Sequence, residues 1–237
     1  YILEFRLVQK GSTKILPKDH IIAWDQFALK HGSTPIYEKN KGNEFIISEK
    51  NGNYILKNNK SQLIISTETG EISTWKLEGK TITNQPIKPN FWRPPTDNDL
   101  GNGMDKWAKI WQNASYNFTS TLKEKPKKTN GSVSFKVAYR LPNDEAKIQV
   151  KFTLTSNGSL IVNYTYKPNK SKLPNIPRLG MYLTLNNNFR EVSWYGKGPE
   201  ESYWDRKTGQ KIGVYSRKIK DQFHVYSRPQ ETGNKTD

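Results

Sequence analysis

Between residues 132 and 166, apolar and polar side chains alternate with a period of two. Val133, Phe135, Val137, Tyr139 and Leu141 are separated by Ser134, Lys136, Ala138 and Arg140. Ile148, Val150, Phe152 and Leu154 are separated by Gln149, Lys151 and Thr153, and Leu160, Val162, Tyr164 and Tyr166 follow at the same spacing. Successive side chains of a strand leave opposite faces, so each run has one apolar and one wet face. A helix, with its period of 3.6, cannot gather such a set on one side. Antiparallel, half-buried strands can. Met181, Leu183 and Leu185 repeat the spacing and predict a further strand. Asn-Gly pairs at 51–52, 130–131 and 157–158 lie between apolar runs and predict tight hairpin turns, as does TETGE at 67–71. The chain is therefore all-β, a large antiparallel sandwich or barrel.

One helix interrupts the pattern. Met104, Trp107, Ala108 and Trp111 fall at i, i+3, i+4 and i+7 and predict a short helix with one apolar face, for which Asn102 is a candidate cap. Two turns are too few to persist alone, so the face must dock on the sheet, with Trp107 and Trp111 as core residues.

The 237 residues are enough to bury a substantial core, and much of the burial falls to seven Trp, twelve Tyr and nine Phe. Cysteine is absent, which excludes disulfides and thiolate metal sites. His20, His31 and His224 show no metal-ligand spacing, and no apolar run is long enough to cross a membrane as a helix. The net charge of +16 raises the question of nucleic acid. Only eight of the 38 basic residues are Arg, the side chain that reads phosphate and guanine bidentately. The lysines alternate with apolar residues, as in VSFKVAY and IQVKFTL, and belong to wet sheet faces. KEKPKK at 123–128 reads as a solvated loop. No nucleic-acid partner is expected. Eight N-x-S/T sequons occur in a chain so rich in these residues that chance accounts for them.

The chain opens on Tyr1 and the strand-like ILEFRLVQ, with neither an initiator Met nor a leader pattern, and reads as part of a longer polypeptide. ILEFRLVQ and HIIAWDQFAL form a two-stranded piece too small to hold a core by itself. The expected boundaries are the end of a preceding sandwich domain at 1–30, a polar Gly- and Pro-bearing linker at 31–42 and the main domain at 43–237.

Five stretches then occur in order: FWRPPTDNDLG, a helix carrying W-x-x-x-W, IPRLGMYL, WYGKGPEESYWDRKTG and HVYSRPQETGN. The first contains R-x-P-x-DND-x-G as Arg93, Pro95, Asp97, Asn98, Asp99 and Gly101. The fourth contains G-x-GP-x-E-x-Y-x-DR as Gly196, Gly198, Pro199, Glu201, Tyr203, Asp205 and Arg206. Together they resemble the C-terminal, small-chain region of the β-galactosidases of glycoside hydrolase family 2, and the resemblance covers nearly the whole chain. It implies a galactose-mutarotase-like β-sandwich (a supersandwich), preceded by the last strands of an immunoglobulin-like domain. It further implies a full-length retaining β-galactosidase whose catalytic glutamates lie on an earlier barrel domain of the same polypeptide. Magnesium and sodium are expected in that enzyme and no cofactor in this chain. A homo-oligomer at full length also follows, while the location, bacterial cytoplasm or periplasm, is left unknown by this stretch of sequence. Against the family pattern, the chain ends before a later segment that donates a tryptophan to the galactose site.

Asp97 and Asp99, two residues apart in an extended loop, would point to one side, at the ~5–5.5 Å that a retaining glycosidase needs between carboxyls. Asp-Asn-Asp after Pro-Pro is equally the chemistry of a structural turn, and the resemblance makes Arg93, Asp97, Asn98, Asp99 and Gly101 a loop at the active-site mouth. There Pro94 and Pro95 fix one end, and Gly101 and Gly103 serve as hinges at the other. Glu200 and Glu201 are adjacent and should face apart, with Asp205 and Arg206 pairing locally or with Glu201. A second candidate set is a sugar-facing cleft of Trp92, Trp204, Asp205, Arg206, His224 and Glu231. On that alternative the chain is a stand-alone carbohydrate-binding or aldose-epimerase-like module, with His224 and Glu231 standing in for a general acid and base.

Overall fold

A computed structural model describes residues 1–29 and 44–235. The expected linker at 31–42 lies outside the described residues. The described residues fall into two compact units: 1–29 with 190–224 and 232–235, and 44–189 with 225–231.

The first unit opens with β1 (Ile2–Val8) and β2 (Ile21–Ala28), an antiparallel hairpin in which Leu3 faces Phe27 and Glu4 faces Gln26. Leu3, Phe5 and Phe27 stand on one exposed face, Phe5 and Phe27 edge to face at 5.7 Å.

The second unit begins with a five-stranded meander: β3 (Ile46–Lys50), β4 (Asn53–Lys57), β5 (Ser61–Ser66), β6 (Ile72–Leu77) and β7 (Lys80–Thr83). The Asn51–Gly52 turn has φ of 48° and 71°, the left-handed pair a two-residue hairpin demands. β8 (Lys88–Asn90) leads to three short helices, α1 (Asp97–Gly101), α2 (Met104–Trp107) and α3 (Lys109–Tyr116). Then come β9 (Thr119–Thr129), β10 (Ser132–Arg140), β11 (Ala146–Thr155) and β12 (Leu160–Pro168), a four-stranded antiparallel sheet in sequential order. The remaining strand, β13 (Gly180–Tyr182), pairs with β8.

The alternating residues do what their period requires. Val133, Phe135, Val137 and Tyr139 of β10, and Ile148, Val150, Phe152 and Leu154 of β11, are at most 3% exposed. Phe135 stacks on Phe152 at 5.2 Å. Leu56, Leu63, Ile65 and Ile72 of the five-stranded sheet join the same hydrophobic cluster. The sheets are also tied by hydrogen bonds: Asn58 Nδ2 donates to the Ser156 carbonyl at 3.0 Å, and the Leu122 amide to the Glu68 carbonyl at 2.8 Å. The result is an all-β sandwich.

Three local expectations are corrected. KEKPKK is no loop: it runs inside β9, the edge strand, where Pro126 removes no needed ladder bond and the register shifts beside it. β13 ends at Tyr182, so Leu183 and Leu185 are not strand residues and stand 39% and 47% exposed. The helix after residue 103 is broken at Ala108 (φ −98°, ψ 6°). Its buried stripe is Met104, Ala108, Trp111 and Ala114, while Trp107 is 42% exposed. Trp107 instead donates its indole N–H to Asn102 Oδ1 at 3.2 Å. Asn102 does not cap the helix it precedes: it closes α1, and α2 starts from Gly103 at φ 75°.

The first unit is completed by β14 (Glu191–Gly198) and β15 (Lys211–Lys218), a second hairpin. Gln26 holds the two hairpins together by treating Ile212 as a strand would: its amide accepts from the Ile212 N–H at 2.7 Å and donates to the Ile212 carbonyl at 3.0 Å. Lys211 reaches Glu4 at 2.8 Å.

Candidate functional site

The candidate loop is built on the end of β8. Phe91 and Trp92 are buried, and the Phe91 amide donates to Ser115 Oγ at 2.9 Å, whose hydroxyl donates to the Trp111 carbonyl at 2.9 Å. Trp111 is fully buried, donates its indole N–H to the Pro174 carbonyl at 2.9 Å and lies 5.8 Å from the Phe91 ring. The entry to the loop is thereby fixed to α3 and to the core.

After Pro94 and Pro95 the chain does not run extended. Thr96 is the N-cap of α1 in a complete capping box. Its hydroxyl accepts from the Asp99 amide at 3.3 Å, and Asp99 Oδ2 accepts from the Thr96 amide at 2.8 Å. The Thr96 hydroxyl also lies 2.8 Å from Asp99 Oδ2. The Arg93 guanidinium grips both oxygens of the same carboxylate, Nη2 to Oδ1 at 2.9 Å and Nη1 to Oδ2. Burial works to raise the Asp99 pKa, but the Arg93 and Thr96 hydrogen bonds outweigh it and hold the carboxyl below its ordinary value. On a helical turn, residues two apart diverge by about 200°. Asp97 and Asp99 therefore do not share a side: Asp99 is turned in on Arg93, while Asp97 is exposed. The one-sided pair expected of an extended loop is replaced by a cap, because the box satisfies amides that an extended loop would leave to solvent. The signal was in the sequence: Thr96-x-x-Asp99 ahead of an apolar stretch.

Asn98 and Gly101 of α1 are exposed. Gly101 has no positive φ, and a methyl group there would meet nothing within 4 Å; Gly103 alone of the two needs the left-handed region, at φ 75°.

One further stretch reaches α1 within the second unit, and a second stretch braces it. Gln230 Oε1 accepts from the Asp97 amide at 3.3 Å. Its neighbour Glu231, 7% exposed, pairs with Arg178 at 2.8 Å and feels the charges of Arg93 and Asp99 as well. Burial pushes the Glu231 carboxyl above its ordinary value, against the pull of Arg178 and Arg93. Arg178 is set by its amide, which donates to the Phe91 carbonyl at 3.3 Å, and by β13, where Gly180 faces Asn90. Neither Arg178 nor Gln230 was picked out from sequence, since their partners lie 53 and 133 residues away.

The other candidate residues divide between the units. Trp92, 7% exposed, is part of the second unit's core. Trp204, Asp205, Arg206 and His224 belong to the first unit. There Glu200 and Glu201 take different partners: Glu200 pairs with Arg217 at 2.6 Å, and Glu201 with Arg206 at 2.7 Å and with the Gly233 amide at 2.7 Å. Asn234 and Ser202 exchange backbone and side-chain hydrogen bonds at 2.9 Å. Arg206 lies over the Tyr203 ring at 5.3 Å, closing the turn that carries Asp205. Trp204 is 83% exposed, with Lys207 Nζ 4.1 Å above its ring. Among the described residues, no three His, Cys, Asp or Glu side chains come together as a metal site.

The family model described as the β-galactosidase small chain matches residues 57–237. A protein named β-galactosidase from Priestia megaterium is 36% identical over 179 residues, 73% of this chain and 17% of the relative. The β-galactosidase of Halalkalibacterium halodurans is 29% identical over the whole of this chain and 23% of the relative. That of Kluyveromyces lactis is 29% identical over 97% of this chain and 23% of its own. The chain thus spans about a fifth of the length of the curated relatives it matches.

Proposed function

The chain belongs to the β-galactosidase small-chain family, and from that membership we propose that it serves a glycosidase hydrolysing terminal β-D-galactosides with retention. Within that enzyme this region is non-catalytic. It completes the active-site mouth with α1 and contributes to the oligomer, while the catalytic carboxylates, and the magnesium and sodium, belong to a barrel domain of the same polypeptide.

The observation that carries this reading is the commitment of Asp99. A retaining glycosidase needs one free nucleophilic carboxylate and one proton-bearing partner about 5–5.5 Å away. Asp99 instead accepts from Arg93, from the Thr96 amide and from the Thr96 hydroxyl, and its pKa is depressed, which suits neither a general acid nor an available nucleophile. Asp97 turns elsewhere, and Glu231 is engaged by Arg178. α1 presents Asp97, Asn98 and Leu100 at its surface, as a loop bordering a substrate cleft would.

The test is hydrolysis of a chromogenic β-galactoside by this chain and by the full-length protein. The full-length protein is expected to turn over and this chain to be inert. Turnover by this chain that Asp97→Ala or Asp99→Ala abolishes would make α1 catalytic and overturn the reading. The exposed ring of Trp204 favours a second reading, a sugar-binding module. Quenching of tryptophan fluorescence by galactose, lost in Trp204→Ala, would support it.

A further inference from the structure

α1 buries none of its own residues, so packing does not decide where it sits. Polar ties do. On its N-terminal side, Thr96 and Arg93 hold Asp99 from within the loop. From outside the loop, the Asp97 amide donates to Gln230 Oε1 at 3.3 Å. Gln230 is placed by its chain neighbour, because Glu231 is 7% exposed and fastened to Arg178 at 2.8 Å. Arg178 is in turn fastened to the loop's own root through the Phe91 carbonyl and the pairing of β13 with β8. Arg178 pairs with Glu231 and Arg93 with Asp99, and the charges of Arg178, Arg93 and Asp99 all act on the Glu231 carboxyl. Removing one member of the Arg178–Glu231 pair leaves the other charge poorly compensated in a partly buried place.

We propose that Arg178 and Glu231 are positioning residues: as a pair they fix the place of α1 through Gln230, and so set the mouth through which a galactoside reaches its site. The second half rests on the reading above that α1 borders that mouth. Neither residue is given a role in the chemistry. Closing the ring of contacts from the root of the loop, through Arg178 and Glu231, back to the first turn of α1 gives a helix of five residues a fixed origin. The exposed Asn98 and Leu100 then move as one body with the pair.

Two measurements test this. Hydrogen exchange of this chain compares the amides of residues 97–103 with those of β10 and β11 in Arg178→Gln, Glu231→Gln and Arg178→Lys. Kinetics of the full-length protein with a chromogenic galactoside give kcat and KM for the same variants. Arg178→Gln and Glu231→Gln are expected to speed exchange at 97–103 at least tenfold, with β10 and β11 unchanged. They are expected to alter kcat and KM several-fold, with the double variant no worse than either single one. Arg178→Lys, which keeps the charge, should restore part of both. Flat exchange at 97–103 overturns the proposal alone. A rise shared by β10 and β11 in all three variants makes the pair a general stability element and also overturns it. Faster exchange at 97–103 with kcat and KM unchanged overturns the reading that α1 borders the mouth, and the proposal with it.

Discussion

Trp107 and Trp111 show how one side chain in a pair comes to matter. Both fit the same apolar stripe, yet the break at Ala108 rotates Trp107 outward and leaves Trp111 fully buried against Phe91 and Tyr166. Trp111→Ala is expected to cost about 3–5 kcal/mol, the usual range for emptying an aromatic core site. Trp107→Ala should cost less, about 0.5–1.5 kcal/mol, the net worth of the hydrogen bond it gives Asn102. Urea midpoints of the two variants check this. Gly101 gives a second contrast. An alanine there clashes with nothing and needs no special φ, so Gly101→Ala is expected to leave the melting temperature of this chain within about 2 °C. In the full-length protein the same change is expected to alter turnover, because alanine stiffens the C-terminal end of α1. An unchanged kcat would make α1 a structural turn only.

Among the elements, the hairpins are legible from their turn residues, and the edge of the sheet from its chemistry once the fold is known. Asn51–Gly52 sits where a left-handed pair is required. Gly158 also has positive φ, and a methyl group there would collide with Leu77 across to the five-stranded sheet, so this glycine serves packing as well as the turn. The β1–β2 hairpin depends on charge in a way its sequence does not announce. Lys211, and then Arg6, hold the Glu4 carboxyl down to about 2. A folded-state pKa below the unfolded one contributes stability above the unfolded value and loses it as the pH falls through the folded one. The tie from β1 to β15 is therefore expected to be intact at pH 5 and above and to be lost toward pH 2. It should also weaken in high salt, because both groups are near solvent. The Lys211 and Trp24 resonances followed by NMR from pH 6 to 2 check it, since Lys211 Nζ also lies 5.0 Å from the Trp24 ring. A transition centred near pH 4 would show that the pair contributes nothing.

At the scale of the whole molecule, the charge of +16 is spread rather than focused. On the wet face of the four-stranded sheet Lys136 faces Lys151, and Lys147 lies between Arg140 and Lys167. Like charges opposite one another cost stability, and a row of lysines with Arg140 at one position attracts a polyanion through charge without reading its sequence. An anisotropy titration near 150 mM salt, where the Debye length is about 8 Å, is expected to show no sub-micromolar, sequence-selective nucleic-acid binding. Such binding would contradict the assignment of these lysines to a solvated sheet face.

The sequence by itself determined the all-β class, the strands that carry Val133–Tyr139 and Ile148–Leu154 and the hairpin turns, because period-two alternation and the turn preference of Asn-Gly are local properties of the backbone. It also carried the family, through motifs whose residues stand close together along the chain. Tertiary structure decided the rest. Whether KEKPKK was loop or strand depended on its lying at a sheet edge, where a proline is tolerated. Which tryptophan would be buried depended on the break at Ala108. The conformation of Asp97–Asp99 was written locally, in Thr96-x-x-Asp99, but what lies beside the helix was not: Gln230 reaches it from a distant stretch, next to Glu231, which pairs with the equally distant Arg178. An ion pair between residues far apart in the chain leaves no periodic trace, because it is selected by the charges that folding brings together and not by the neighbours each residue has in sequence.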